Sequence, residues 1–325
     1  MEDIKVSVCC LVYNHEKYLR QCLDSILMQE TNFKYEILIH DDASTDGSVD
    51  IIREYERKYP DIIKPLYQKE NQYSKGVKIS WTYQYPRAKG KYIALCEGDD
   101  FWNNKNKLQR QADMMDKKDD LSMCVHDVLR VLESGQQTGE KNPPIDIKEG
   151  ILSSMDVLKM LEVDNIYPFH TSSYFFRATY IHKIEEKLPE FFRKTATGDV
   201  VLMVYLATKG DFGYIKQSMS SNRINSIGSW TESQQKRENR IAHFKSQIET
   251  KKAIDEYLNY KFTESIAEQI LGYEFDIYRL ENRYSMCLKK KYKQCMNKLP
   301  LKEQIYIKIF GRLPVLFELY VKIRG

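Results

Sequence analysis

Apolar positions along this chain fall into two rhythms. Val6-Ser-Val-Cys-Cys-Leu-Val-Tyr13 is nearly continuous and β-branched, the pattern of a strand buried on both faces. From Tyr18 the apolar residues Leu19, Cys22, Leu23, Ile26 and Leu27 recur at helical spacing. The two rhythms then alternate. Glu36–His40 predicts a strand, and Ile51, Ile52 and Tyr55 mark a helix. Ile62–Tyr67 predicts a third strand and Lys75–Ala88 a helix. Tyr92–Cys96 predicts a fourth strand, followed by a helix over Lys105–Lys117 with Leu108, Ala112 and Met115 inward. Ser122–Leu132 reads as a strand, polar Glu133–Gly150 as a loop, and Ile151–Leu161 as a helix. His170–Arg177 reads as a strand, Val200–Ala207 as a helix opened by Asp199, and Asp211–Ile215 and Ser218–Ile224 as short strands. Strands and helices alternating at these lengths predict an α/β fold with a mostly parallel sheet flanked by helices. From residue 232 the chain turns charged and helical, so the expected division is a domain over 1–231 and a helical C-terminal appendage over 232–325.

Two of these strands end in acids. Asp41-Asp42 closes the second, and Glu97-Gly98-Asp99-Asp100 closes the fourth. In a parallel sheet both clusters open onto one edge, outside the carboxyl ends of the strands, where such folds bind ligands. Adjacent carboxylates disfavour joint ionisation unless a cation neutralises them. Hard divalent ions suit such oxygens and bridge to a substrate phosphate, so Mn²⁺ or Mg²⁺ is expected. Together the two clusters describe a nucleotide-diphosphate site. The same acids would also serve as turn formers and helix caps, for Asp42 before Ile51 and for Asp199 before Val200.

The rest of the composition narrows the field. A net charge of +4 over 325 residues is too small to argue for nucleic acid. Seven cysteines, odd in number and without a CxxC pair, read as buried free thiols of a reducing compartment. No signal peptide and no window of 18 uncharged apolar residues is found, so a cytoplasmic protein is expected. GxGxxG and GxxxxGK[ST] are both missing, which leaves phosphate neutralisation to a metal.

Three motifs in order then carry a resemblance over residues 4–110. Val6-Ser-Val with Tyr13-Asn-His-Glu-Lys-Tyr-Leu19, His40-Asp-Asp-Ala-Ser-Thr-Asp-Gly-Ser48, and Glu97-Gly-Asp-Asp-Phe-Trp102 resemble the inverting family 2 glycosyltransferases of GT-A fold. The resemblance implies a GT-A-type sheet with a nucleotide-sugar half over about 1–120 and an acceptor half over about 121–231. It implies that Asp42 contacts the base of a UDP- or GDP-type sugar donor. Asp99 would approach the ribose and diphosphate, and Asp100 would ligate the metal. Leu11, Tyr13 and Glu16 would line the nucleotide pocket. Asp199 matches the family's later acid and would accept the acceptor hydroxyl's proton. His170 and Thr171 would face the acceptor, a glycan or lipid-linked sugar of a bacterial-type surface polysaccharide, with Trp102 and Trp230 beside it.

The basic and apolar C-terminus supplies Lys289–Lys293, Lys298, Lys302, Lys308 and Arg312 among Ile305, Ile309 and Leu313. It reads either as a segment lying on an anionic membrane, at the inner face of the plasma membrane, or as a helical appendage packed on the domain or on a second copy in a homo-oligomer. Two further classes compete: a sugar-phosphate nucleotidyltransferase, and a non-catalytic nucleotide or glycan binder. The first would want a Gly-rich, Arg-containing loop after the opening strand, and Val12-Tyr-Asn-His15 offers none.

Overall fold

The run Val6–Tyr13 forms most of β1 (Ile4–Val12), and its neighbours arrange themselves around it. In the computed structural model, residues 3–182, 189–195, 198–224, 236–313 and 315–317 are described. The strands are β2 (Lys34–Asp41), β3 (Leu66–Tyr67), β4 (Tyr92–Leu95), β5 (Phe101–Trp102), β6 (Leu121–Val131), β7 (Gln137–Asn142), β8 (Gly150–Leu152), β9 (Phe175–Arg177) and β10 (Asp211–Arg223). They join one ten-stranded sheet in the order β3-β2-β1-β4-β9-β6-β10-β5, with β7 beside β6 and β8 beside β10. β1, β2, β3 and β4 are mutually parallel, as are β6 and β10; β9 runs antiparallel between β4 and β6. The expected α/β fold with a mostly parallel sheet is therefore present.

Parity along the strands explains the continuous apolar runs. Val6, Val8, Cys10, Val12, Ile37, Ile39, Tyr92, Ala94 and Cys96 face one side. They pack with Leu19, Cys22 and Ile26 of α1 (Glu16–Leu27), Ile52 and Tyr55 of α2 (Ser48–Lys58), and Leu108 and Met115 of α3 (Lys107–Lys117). Cys9, Leu38 and Ile93 point the other way and are buried too. Each such aliphatic side chain contributes about 1.5–3 kcal/mol by leaving water. All the cysteines are free thiols, and all but Cys295 are buried.

Several expectations are corrected. Lys75–Ala88 is not one helix but a 3₁₀ turn at Tyr73–Lys75, a π-turn at Ser80–Gln84 and a second 3₁₀ turn at Tyr85–Arg87. Gly76 takes a left-handed φ of 77°, and Pro86 has no N–H to continue a ladder. Of Ile62–Tyr67 only Leu66–Tyr67 is strand, with a lone bridge from Ile63 to Ile37. The polar loop after β6 contains β7, paired antiparallel to β6. Asp211–Arg223 is one strand whose register slips between Ile215 and Ser220. His170–Arg177 begins with a 3₁₀ turn at Thr171–Ser173 before β9.

The remaining helices are α4 (Ser154–Glu162), α5 (Ala178–His182), α6 (Glu190–Lys194), α7 (Gly198–Ala207), α8 (Arg237–Tyr257), α9 (Thr263–Leu280), α10 (Tyr284–Cys287), α11 (Lys293–Asn297) and α12 (Leu301–Arg312). The chain divides into two units, residues 1–188 with 198–232, and residues 189–197 with 233–325. The second has its own small core of Phe275, Cys287, Tyr292, Met296 and Ile307. Among the described residues no helix is long and apolar enough to cross a membrane.

At the edge of the sheet away from the acids, Asp116 of α3 accepts from Lys5 of β1 at 2.6 Å and from Lys91 and the Tyr92 hydroxyl at 2.7 Å each. Partial burial alone would raise its carboxyl, but these three donors outweigh it and hold it well below the usual carboxylate range. A depressed carboxyl stabilises the fold above its unfolded-state pKa and loses that contribution as pH falls toward the folded one. Asp116→Asn is therefore expected to cost about 1–2 kcal/mol at neutral pH. The gap to the native protein should narrow steadily below about pH 4; chemical denaturation at several pH values measures it.

Candidate active site

Both acidic clusters reach the same sheet edge. The Gly98 N–H donates to Leu11 O at 2.9 Å, and the Asp42 N–H donates to Val12 O at 2.9 Å, so the turns after β4 and β2 both dock on the end of β1. The approach is tight. A Cβ on Gly98 would sit 2.6 Å from His15 Nδ1 and 3.0 Å from Val12 Cγ2. Only glycine lets the acidic turn lie this close to β1.

The polar residues after β1 and β2 lace two loops together. Asn14 donates its N–H to Ser44 Oγ and accepts from the Thr45 N–H on Oδ1. The His15 N–H donates to Ser48 Oγ, and the Glu16 N–H to Asp46 Oδ2. Gly47 returns a bond, its N–H donating to Glu16 Oε2 at 2.9 Å. Asn14 and Ala43 take left-handed φ values of 56° and 62° to make these turns. Glu16, expected to line a nucleotide pocket, thus has one carboxylate oxygen committed to Gly47. Leu11 is half-buried beneath the turn, and Tyr13 stands 40% exposed at the mouth.

Asp42 is buried, and both its oxygens are occupied. Oδ1 accepts from the Gln72 N–H at 2.7 Å and Oδ2 from the Tyr73 N–H at 3.0 Å. Asp42 therefore shapes the 71–76 loop. Its neighbour Asp41, also buried, accepts from the Ser44 N–H on Oδ2 and leaves Oδ1 without a partner. Sequence position treats the two alike; strand parity separates them.

Asp100 is the most constrained acid. It is fully buried, and its Oδ1 accepts from the Arg223 N–H at 3.0 Å and the Asn222 amide at 3.2 Å. Its Oδ2 is buried with no hydrogen-bond partner. Burial, then the charges of Asp99 and Glu97, push its carboxyl well up, and the bonds from Arg223 and Asn222 oppose this. Glu97 is exposed, although protein groups crowd around its carboxyl. That crowding, then the charges of Asp99 and Asp199, push it to about 8, a push moderated by its solvent contact. Arg223 does not neutralise the carboxylates. Its guanidinium donates to the backbone oxygens of Asp99 and Glu133 and to Gln21, and lies between the rings of Tyr18 and Phe101.

His170, expected on the acceptor side, stands against Asp100, its Nδ1 lying 3.7 Å from Oδ2. Burial lowers it to about 4, with Asp199 and Asp99 opposing, so the ring is neutral at physiological pH. Nδ1 also accepts from the Ser172 N–H at 3.3 Å. In the tautomer that accepts this bond, Nδ1 has no proton to offer Asp100 Oδ2. Thr171 opens the adjoining 3₁₀ turn. Asp199 lies in the first turn of α7, its Oδ1 accepting from the Val200 N–H at 2.9 Å. Its charge reaches Glu97, His170 and the paired hydroxyls of Tyr167 and Tyr174, which lie 2.7 Å apart.

Trp102 is corrected. Its ring is 1% exposed in the core, with the buried Lys107 ammonium 4.0 Å from the ring centroid, so it offers no face to a sugar. Trp230 lies outside the described residues. The clamp from Asn222 and Arg223 was not legible in the sequence, because it joins residues 122 and 123 positions apart.

A bare buried carboxylate oxygen, in a pocket of like charges and beside a neutral imidazole nitrogen, fits a divalent cation. Among the described residues no three acid, His or Cys side chains gather into a protein cage. A cation here would take Asp100 as its protein carboxylate and complete its shell with phosphate and water, as Mg²⁺ and Mn²⁺ commonly do.

The family model described as glycosyl transferase family 2 matches residues 7–178. An uncharacterised protein of Mycobacterium tuberculosis is 36% identical over 153 residues, 47% of this chain and 42% of the relative. The putative teichuronic acid biosynthesis glycosyltransferase TuaG of Bacillus subtilis is 36% identical over 110 residues, 34% of this chain and 41% of TuaG. The chain thus matches less than half the length of these relatives. Among solved structures, residues 1–349 of S. aureus TarS in complex with UDP-GlcNAc share the fold at TM-score 0.58 and 18% identity, over 90% of this chain and 79% of that one.

Removing the buried carboxyl of Asp100 has a calculable sign. Asp100→Asn keeps an acceptor for Arg223 and Asn222 and turns an amide donor toward His170 Nδ1. The metal-free variant is expected to be more stable than the native protein by about 1–2 kcal/mol. It should also lose Mn²⁺ affinity. Melting curves with and without Mn²⁺ test both; a destabilised metal-free variant contradicts the strain ascribed to Oδ2.

Proposed function

The chain belongs to glycosyl transferase family 2, and on that premise we propose that it moves a sugar from a nucleotide-diphosphate donor to a hydroxyl of a glycan or lipid-linked acceptor, with inversion and with Mn²⁺ or Mg²⁺. The observation that carries this reading is the unpartnered, buried Oδ2 of Asp100 at the edge where β1, β2 and β4 end. The working domain in this reading spans 1–231, with a donor half over about 1–120 and an acceptor half over about 121–231; residues 232–325 form the appendage.

Each residue has a role. Tyr13 and Leu11 flank the base and ribose of a UDP- or GDP-type donor, and Asp99 approaches the ribose and diphosphate. Asp41, with its bare Oδ1, is better placed than Asp42 to accept from a base N–H, while Asp42 holds the 71–76 loop that borders the base. Asp100 would hold the cation. A divalent ion bound there supplies charge neutralisation for the departing diphosphate, worth several kcal/mol. His170, kept neutral, orients the Asp100 side of the site without adding a competing positive charge. Asp199 accepts the proton of the attacking hydroxyl as the bond to the anomeric carbon forms on the face opposite the leaving group. The naming of TuaG for teichuronic acid biosynthesis supports a polysaccharide product.

The experiment is a panel of UDP- and GDP-sugars scored for metal-dependent release of nucleoside diphosphate, beside calorimetric titration with UDP and GDP with and without Mn²⁺. Metal-dependent binding with slow donor hydrolysis supports a transferase; binding with no sugar release from any donor favours a non-catalytic binder. Asp199→Asn is expected to lower turnover by about 10²–10⁴ and to leave the nucleotide Kd unchanged. Near-native turnover in that variant removes Asp199 from the role of base.

A further inference from the structure

The second unit carries a feature that the proposed transfer does not use. Helix α12 buries one face and leaves the other bare. Ile307 and Gly311 face inward, and a Cβ on Gly311 would lie 2.9 Å from both Leu288 Cδ1 and Tyr284 O. The helix is therefore packed closely through that side. Leu301, Ile305 and Ile309 follow at four-residue spacing on the outward side, 70%, 48% and 44% exposed, and Leu313 continues the line at 54%. Aliphatic side chains in a row at this exposure are not the scattered apolar residues of an ordinary surface.

The charges beside this ridge have one sign. Lys308 stands seven residues from Leu301, and Arg312 seven from Ile305, so both share the ridge's side of the helix. Lys302 and Lys298 flank its beginning, and all four cations are exposed. The acid of the helix, Glu303, is tied to Arg279 of α9. What remains outward is an apolar line bordered by long cationic side chains, whose stems can lie along the apolar surface while their heads reach outward.

We propose that this face of α12 docks on an anionic lipid bilayer, with Leu301, Ile305 and Ile309 in the headgroup–acyl boundary and Lys302, Lys308 and Arg312 against lipid phosphates. The chemistry favours a bilayer over a second copy of the chain. A two-fold contact through this ridge would set the same cations against each other, with Glu303 already engaged. The arrangement matches that of interfacial amphipathic helices, with basic residues on the border and aliphatic ones in the centre.

The test uses the full chain and vesicles, and does not depend on any transfer reaction. The native protein is expected to float with vesicles of phosphatidylcholine and phosphatidylglycerol. Its binding should be at least about tenfold weaker to phosphatidylcholine alone, and weaker at high salt. Two triple variants follow: Leu301→Ser with Ile305→Ser and Ile309→Ser, and Lys302→Gln with Lys308→Gln and Arg312→Gln. Each is expected to keep the native melting temperature, since these side chains are exposed, and to bind anionic vesicles at least about tenfold more weakly. Three results would overturn the proposal: no flotation of the native protein with anionic vesicles, unchanged binding by either triple variant, or a native dimer that the apolar triple dissolves while vesicle binding is absent. Loss of nucleotide binding in the catalytic unit would leave these outcomes untouched.

Discussion

Burial of Asp100 with only one oxygen satisfied is the constraint on which the site depends. A carboxylate removed from water must find hydrogen bonds or a counter-charge. Here the end of β10 supplies two donors to Oδ1 and nothing reaches Oδ2. Glu97 and Asp99 add like charge to the same turn. The nearby cation, Arg223, is engaged elsewhere with backbone oxygens, so it braces the turn without quenching it. The fold holds an unfavourable arrangement in place through contacts on every side, and such over-determined strain belongs to sites that wait for a ligand.

That bracing explains otherwise unrelated features. Gly98 is needed because the acidic turn lies against His15 and Val12. The reciprocal bonds from Asn14, His15 and Glu16 to the 44–48 loop fix the end of β1, on which the acidic turn rests. Gln111 of α3 donates to Ser173 O at 2.8 Å and to Cys124 O at 3.0 Å, tying the turn after His170 to β6. His170, the residue that caps this turn, is thereby held opposite Asp100.

The second unit follows a different logic. Its core is small and largely aromatic and sulfur-containing, and its outermost helix displays rather than hides aliphatic side chains. An apolar face left exposed contributes little to the fold and is available to a partner. Among the described residues, Lys298, Lys302, Lys308 and Arg312 border that face, so the electrostatics select among partners more sharply than the apolar area does.

Much of this protein was determined by its sequence alone. The alternation of buried strands with amphipathic helices, and the placement of acids at the ends of the second and fourth predicted strands, are local matters. Side-chain period and turn chemistry act within a few residues, so the parallel sheet and the shared edge of Asp41, Asp42, Asp99 and Asp100 could be read from the chain. What the tertiary structure decided depends on residues far apart. Only the insertion of β9 between β4 and β6 brings His170 to Asp100, and only the return of β10 supplies Asn222 and Arg223. Whether Trp102 meets solvent or Lys107, and whether Asp41 or Asp42 keeps a bare oxygen, likewise turned on neighbours that no local pattern announces. Long-range strand order carries no periodic signal of its own, and hydrogen-bond satisfaction is settled only once every donor has been assigned its place.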